Sequence, residues 1–222
     1  MPSMPGSKSA VLKVSGKIIN PENPHYVKMY SEVLEQLHGE GMKIVVVVGG
    51  GPIARRYIEC LRGFRTTQAQ LDIIGIEVSR LNAWLLALAL RERAYKPIPR
   101  NIDEILRAWS TDKIIVVGGL QPGQSTAGTA AVIAEVLNIK RILYATDVDG
   151  IYDKDPKRHP DARILRSVKV DELRRYLAQK FEAGHYELLD PIAMEIVKRA
   201  GMEVLVFKGT EREQLIKAFK SS

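Results

Sequence analysis

The 222 residues contain a single cysteine, Cys60, so no internal disulfide can form and a reducing compartment fits. No apolar run approaches the ~20 residues that a membrane-spanning helix needs. The N-terminal "MPSMPGSKS" is small and polar, without the charged-then-apolar pattern of an export signal. The expectation is therefore a cytoplasmic protein with no membrane partner. Aromatic residues make up only 6% and form no stripe on which bases could stack. The net charge is +7, from 33 basic and 26 acidic residues, but the basic residues are dispersed and form no block. Nucleic acid is one candidate partner for a basic chain, but with no such block or stripe it is not expected, and a phosphorylated small substrate explains a modest positive excess equally well. Asparagine and glutamine are scarce, which is compatible with a heat-adapted protein. There is no internal repeat, no low-complexity segment and no Pro/Gly/Ser linker, so the chain reads as a single domain.

What is present is a repeating order of short apolar runs and helical stretches. Residues 10–14, 43–48, 113–117, 141–145 and 203–207 read as strands. "KIVVVV" in particular is continuous and β-branched, the mark of a strand covered on both faces. Between them, "PHYVKMYSEVLEQLHGEG", residues 53–61, a long stretch over 71–93, "AAVIAEVL", "VDELRRYLAQ", "DPIAMEIVKRAG" and "TEREQLIKAF" read as helices. Asp190 reads as an N-cap with a proline in the first turn, and Thr210 with Glu213 as a capping box. Alternation of this kind predicts an α/β fold with a mainly parallel sheet.

In open α/β sheets ligands collect beyond the carboxyl ends of the strands. Four candidate segments lie there: "KVSGK" (13–17), "VGGGPIAR" (48–55), "VGGLQPGQST" (117–126) and "ATDVDGIYDKDP" (145–156). Each would place backbone N–H groups and a helix N-terminus where an anion can be held. The triple glycine is not a Walker A loop, because Pro52 stands where Lys-Ser/Thr is needed, and it lacks the dinucleotide spacing. Arg55, one helical turn beyond Gly51, could fork onto a phosphate or could be solvated surface. The last segment packs four aspartates into nine residues, yet its spacing is not that of an EF-hand.

The order "LKVSGK", "VVVGGGPIARRYIE", "GGLQPGQSTAGTAAVIAE", "ATDVDGIYDKDP", "AGHYELLDPIAMEIV" resembles the amino acid kinase superfamily. Within it, the chain is similar to the archaeal uridylate (UMP) kinases of the crenarchaeal kind. "QPGQST" and "GHYELLDP" carry that narrower resemblance, while "TDVDGIY" is shared with aspartate kinase. The resemblance implies a three-layer αβα sandwich with a mainly parallel central sheet, spanning residues 8–222. Residues 8–140 would serve the phosphoryl acceptor and 141–222 ATP. It also implies transfer of the ATP γ-phosphate to UMP with Mg2+ as the cofactor, and assembly as a homohexamer.

Carried over residue by residue, the resemblance implies that Lys13, Val14, Ser15, Gly16 and Lys17 wrap the ATP phosphates, with Lys13 neutralising charge on the transferring group. Gly50 and Arg55 would also face ATP, and Lys13, Lys17 and Arg55 would be the catalytic cations. Thr146, Tyr152 and Asp155 would contact the nucleoside of ATP, with Tyr152 offering a π-face to adenine. Gly49, Asp72 and the segment Leu120, Gln121, Pro122, Gly123, Gln124, Ser125, Thr126 would hold UMP. Asp72 also reads as a charge near a helix N-terminus. Asp147 and Asp149 read either as organisers of the glycine loops or as turn aspartates. No protein side chain is assigned to a metal.

The sequence departs from the family at three places. Ala127 stands where many members carry an aspartate, Asp147 replaces the usual Asn or Lys, and "DPIAMEIV" offers no second lysine. These bear on the charge arrangement, not on the reaction. Aspartate kinase would be expected to continue into regulatory domains and isopentenyl phosphate kinase to have a greasier acceptor side, and Lys13 with an intact nucleoside loop argues against a storage protein on this fold.

Overall fold

The structure is a computed structural model describing residues 9–147, 151, 152, 161, 164, 165 and 190–220. The helix expected over 170–179, and Asp149 and Asp155, lie outside the described residues. Strands β1 (Ser9–Val14), β2 (Lys43–Val48), β3 (Ile115–Val117) and β4 (Arg141–Thr146) precede a short antiparallel pair, β5 (Ile151–Tyr152) and β6 (Ile164–Leu165). With β7 (Glu203–Lys208), the first four form one all-parallel sheet in the order β3-β2-β1-β4-β7. The expected α/β fold with a parallel sheet is borne out.

Period-two alternation sends successive residues to opposite faces, and here both faces are covered. Leu12, Val14, Ile44, Val46, Val48, Leu143 and Ala145 pack under helices α1 (Pro24–Gly39), α3 (Gln68–Ala89) and α7 (Arg212–Lys220). Val11, Val45, Val47, Ile115, Val117, Ile142 and Tyr144 pack under α4 (Ile102–Trp109), α5 (Thr126–Val136) and α6 (Pro191–Arg199). Helix α2 (Gly51–Leu61) lies against α3 and buries only Ala54 completely. The layers are αβα.

Several boundaries differ from the sequence reading: β3 starts at Ile115, α2 at Gly51 and α5 at Thr126, rather than at 113, 53 and 130. Helix α3 starts at Gln68, earlier than 71, because Thr67 and Gln70 form a capping box: Gln70 N–H donates to Thr67 Oγ1 at 3.3 Å and Thr67 N–H to Gln70 Oε1 at 2.8 Å. Its end gives way to a 3-10 turn over Arg91–Arg93. Helix α4 was not expected at all. Its signal is the cap, where Glu104 N–H donates to Asn101 Oδ1 at 2.9 Å. The last helix starts at Arg212, so Thr210 does not open it.

The chain builds outward from β1 to β2 and β3 on one side, and to β4 and β7 on the other. The strand order therefore reverses at β1, and a ligand crevice is expected outside its carboxyl end. The loops after β1, β2, β3 and β4 all emerge there.

Candidate active site

The loop after β1 carries Ser15, Gly16 and Lys17. Its backbone is tied down locally: Ser15 N–H donates to Ala145 O at 3.0 Å, and Lys17 N–H to Ser15 Oγ at 3.2 Å. Asn20 Nδ2 donates to Gly16 O and Asn23 Nδ2 to Lys17 O, both at 2.8 Å. The loop after β2 is Gly49–Gly51, fixed to β1 by Gly49 N–H donating to Val14 O at 3.0 Å. The two loops press on each other so closely that a Cβ on Gly16 would overlap the backbone of Gly49, Gly50 and Gly51. Gly51 also has φ +64, the left-handed region that glycine enters without strain. The run of glycines is thus needed for backbone-to-backbone contact. Helix α2 begins at Gly51 with Pro52 in its first turn, presenting a positive helix end there.

Lys13 lies on the central strand, opposite Val47 and Tyr144, and its side chain is almost wholly buried. That placement disposes of a lysine snorkelling from an edge strand. Its Nζ stands 5.8 Å from the centroid of the Tyr144 ring. The Tyr144 hydroxyl donates to Ala127 O at 3.3 Å. Burial pushes its pKa far above the ordinary phenol value, with the charge of Asp190 adding to the effect, so it stays a neutral donor. Lys17 Nζ meets Asp147 Oδ2 at 2.7 Å, joining the β1 loop to the end of β4. Arg55 is exposed on α2, while its neighbour Arg56 pairs with Glu22.

The segment after β3 runs along α3. Gly119 N–H donates to Ser79 Oγ at 2.7 Å, Arg80 Nη2 to Leu120 O at 3.3 Å, and Gly123 N–H to Asp72 Oδ2 at 2.8 Å. Asp72, on α3, thus holds this segment through Gly123, and it also accepts Gln68 Nε2 at 3.0 Å. Gln121, Pro122 and Gly123 are exposed, with Gly123 at φ +74. Gln124 Oε1 accepts Thr129 Oγ1–H at 3.2 Å. Ser125 caps α5, accepting Ala127 N–H and Gly128 N–H at 3.0 Å each. A Cβ placed on Gly49 would lie 3.6 Å from Thr126 Oγ1, so this segment reaches the glycine loop.

The β4 end supplies Thr146, which is buried and whose carbonyl accepts Gly209 N–H at 2.8 Å. Tyr152 is carried by β5, and Asp155 lies outside the described residues. The structure thus gathers Lys13, Ser15–Lys17, Gly49–Gly51, Leu120–Thr126 and Thr146 at one end of one sheet.

Two features escaped the sequence reading. Asp190 accepts Ala193 N–H at 2.9 Å as the expected cap of α6, but its other oxygen takes a hydrogen bond from Ser125 Oγ. A carboxylate thereby arrives from the N-cap of α6 beside Gly128, the residue after Ala127. The second is Asn82 on α3, which is buried and donates from Nδ2 to Gly49 O at 3.0 Å and Gly50 O at 3.3 Å. A lone asparagine inside a helix carries no local signal for such a contact.

Residues 8–208 match the model of the amino acid kinase family. The uridylate kinase of Hyperthermus butylicus is 49% identical over 205 residues, 92% of this chain and 91% of that protein. That of Sulfolobus acidocaldarius is 42% identical over 213 residues, 95% and 94% of the two chains. Among solved structures, uridylate kinase from Archaeoglobus fulgidus superposes with a TM-score of 0.85 at 29% identity, covering 96% of both chains.

Proposed function

The chain belongs to the amino acid kinase family, and from that premise we propose that it transfers the γ-phosphoryl group of ATP to UMP, giving UDP and ADP. The observation that carries this reading is the Leu120–Thr126 segment, held by α3 and brought against the Gly49–Gly51 loop in a chain up to 49% identical to uridylate kinases. Its neutral side chains Gln121, Gln124 and Thr126 both donate and accept hydrogen bonds, which suits a uracil edge and a ribose, while Ser125 fixes the segment through the α5 cap and Asp190. Gly49 and Asp72 complete the UMP side, within residues 8–140. On the ATP side, Lys13 to Lys17, Gly50 and Arg55 serve the phosphates. Thr146, Tyr152 and Asp155, from residues 141–222, serve the nucleoside.

The chemistry asks little covalent work of the protein. The acceptor phosphate has a second pKa of ~6 and is largely dianionic at neutral pH, so no general base is required. One of its terminal oxygens bonds to the γ-phosphorus while the bond from that phosphorus to the β,γ-bridging oxygen breaks, and the electron pair leaves with ADP. Catalysis then consists of holding the two groups in line and relieving negative charge in a loose transition state. Lys13 supplies a buried, fixed positive charge, Lys17 and Arg55 supply mobile ones, and the glycine loops supply N–H donors. Asp147 beside Lys17 offers a single carboxylate, and one carboxylate plus substrate phosphates is a donor set that suits Mg2+. When bound with ATP, Mg2+ neutralises phosphate charge.

The reading extends to a homohexamer acting in cytoplasmic pyrimidine nucleotide biosynthesis. Self-association is supported by Leu81, Leu85 and Leu88, which leave one stripe of α3 apolar and exposed. The test is direct: with γ-labelled ATP, UMP and Mg2+, label must appear in UDP. Label released only as inorganic phosphate, or none transferred, rejects the reading.

A further inference from the structure

The chain has five asparagines, and three of them spend their side-chain amides on backbone carbonyls of the two loops that flank the end of β1. Asn20 and Asn23 take Gly16 O and Lys17 O from within their own loop. Asn82 differs, because it reaches across from α3, 33 residues away from Gly49. It is 2% exposed, and the roles given to Lys13, Lys17 and Arg55 make no use of it.

In a trans peptide the carbonyl and the following N–H point in opposite directions. Drawing Gly49 O and Gly50 O toward α3 therefore turns the N–H groups of Gly50 and Gly51 away from it. A glycine loop has no side chains to hold its peptide planes, so contacts and hydrogen bonds from neighbouring elements must set them. The same helix face carries Ser79, which is 1% exposed and accepts Gly119 N–H at 2.7 Å at the start of the acceptor segment. Ser79 and Asn82 are one helical turn apart, so a single rigid element sets the glycine loop and the acceptor segment relative to each other.

We propose that Asn82 is a positioning residue for phosphoryl transfer: its amide fixes the Gly49 and Gly50 peptide planes so that the loop's N–H groups meet the transferring phosphate. This rests on the phosphoryl-transfer reading of the same site. N–H donors of this kind act mostly in the transition state; removing one outright lowers turnover by about 10²–10³-fold, so misaiming one costs less than that.

The experiment compares kcat and both KM values of wild type, Asn82→Ala and Asn82→Asp, with thermal unfolding of each. Asn101→Ala is the control, since its side chain bonds Glu104 and no loop residue. We expect Asn82→Ala to lower kcat at least about tenfold with KM for UMP within about threefold. Asn101→Ala should lose stability and keep its kcat. Asn82→Asp keeps the size but loses the donors while ionised; protonated, its hydroxyl can donate to a carbonyl again. Its kcat relative to wild type should therefore rise as pH falls from 8 to about 5.5, because burial raises a carboxyl pKa. Wild-type turnover of UMP with both Asn82 variants within threefold of it, or an Asn82→Asp ratio flat with pH, overturns the positioning role. If Asn82→Ala does not fold, the Asn82→Asp profile decides alone. Failure of wild type itself on UMP would count against the functional reading instead.

Discussion

Lys17 and Asp147, 130 residues apart in sequence, meet at 2.7 Å where the loop after β1 faces the end of β4. Both side chains are more than a third exposed, so the pair is screened and worth only about 0–1 kcal/mol of stability. Its value is positional, since it holds an ammonium where the loop after β1 meets the end of β4. Asp147→Asn should therefore move the urea midpoint by less than about 1 kcal/mol equivalent. Lys17→Ala should raise KM for ATP about tenfold or more, as expected for losing a charge-assisted contact. A Lys17→Ala enzyme with unchanged ATP saturation would remove Lys17 from the site.

Lys13 is different in kind, being buried on the central strand and close to the Tyr144 ring. A fixed charge aimed at developing negative charge is worth about 3–4 kcal/mol in the transition state. Lys13→Ala is expected to fold, to bind ATP, and to lose two or more orders of magnitude in kcat. Steady-state kinetics on folded protein checks this, and near-normal turnover would exclude Lys13 from the mechanism.

Gly51 sits at φ +64, and a Cβ added to it would overlap the backbone of Gly16. An alanine there meets both left-handed strain and backbone atoms that cannot yield. Gly51→Ala should cost about 2 kcal/mol or more and abolish activity even where some fold remains. Gly63→Ala, where a Cβ would meet nothing, is the matched control. Equal denaturation midpoints for the two variants would contradict the packing argument.

How far these features could be read from the sequence varied with the range of the interaction. "KIVVVV" declared a strand buried on both faces because its β-branched run has no polar break, and β2 does lie between two helical layers. Lys13 to Lys17 and Gly49 to Gly51 were found because a strand that ends in glycine marks the crevice of such a sheet. Helix α4 was missed because it is only eight residues long and its start is signalled by Asn101 and Glu104 alone. Asp190 was read correctly as a cap, from the proline beside it. Its second bond, to Ser125, was not legible, because it spans 65 residues. Asn82 was invisible for the same reason: the partners that give it meaning are on another element.

Glu135 on α5 and Arg199 on α6 form a two-pronged pair at 2.9 and 2.6 Å. The hydrogen bond from Arg199 holds the Glu135 carboxyl below its ordinary value. A depressed folded pKa gives stability that is present above the unfolded value and lost as pH falls through the folded one. The gap in Tm between wild type and Glu135→Gln should thus be largest at neutral pH and close as pH falls below the ordinary carboxylate range. Because the pair is on the surface, high salt should shrink the gap at pH 7. A gap independent of pH would mean that the pair contributes no charge term.

The central claim is the identity of the acceptor, and ADP release across matched concentrations of UMP, CMP, aspartate, acetylglutamate, carbamate and isopentenyl phosphate tests it most directly. Uracil presents an acceptor at O4 where cytosine presents a donor, so a site bonded for uracil leaves groups unpaired against CMP. Sites built this way reject the analogue by factors up to about 10⁴–10⁵. The side chains of the segment Leu120–Thr126 itself are all uncharged, which matches a neutral base better than an amino acid's carboxylate and ammonium. The account predicts that kcat/KM is clearly highest for UMP. Faster turnover of aspartate or isopentenyl phosphate than of UMP would contradict it.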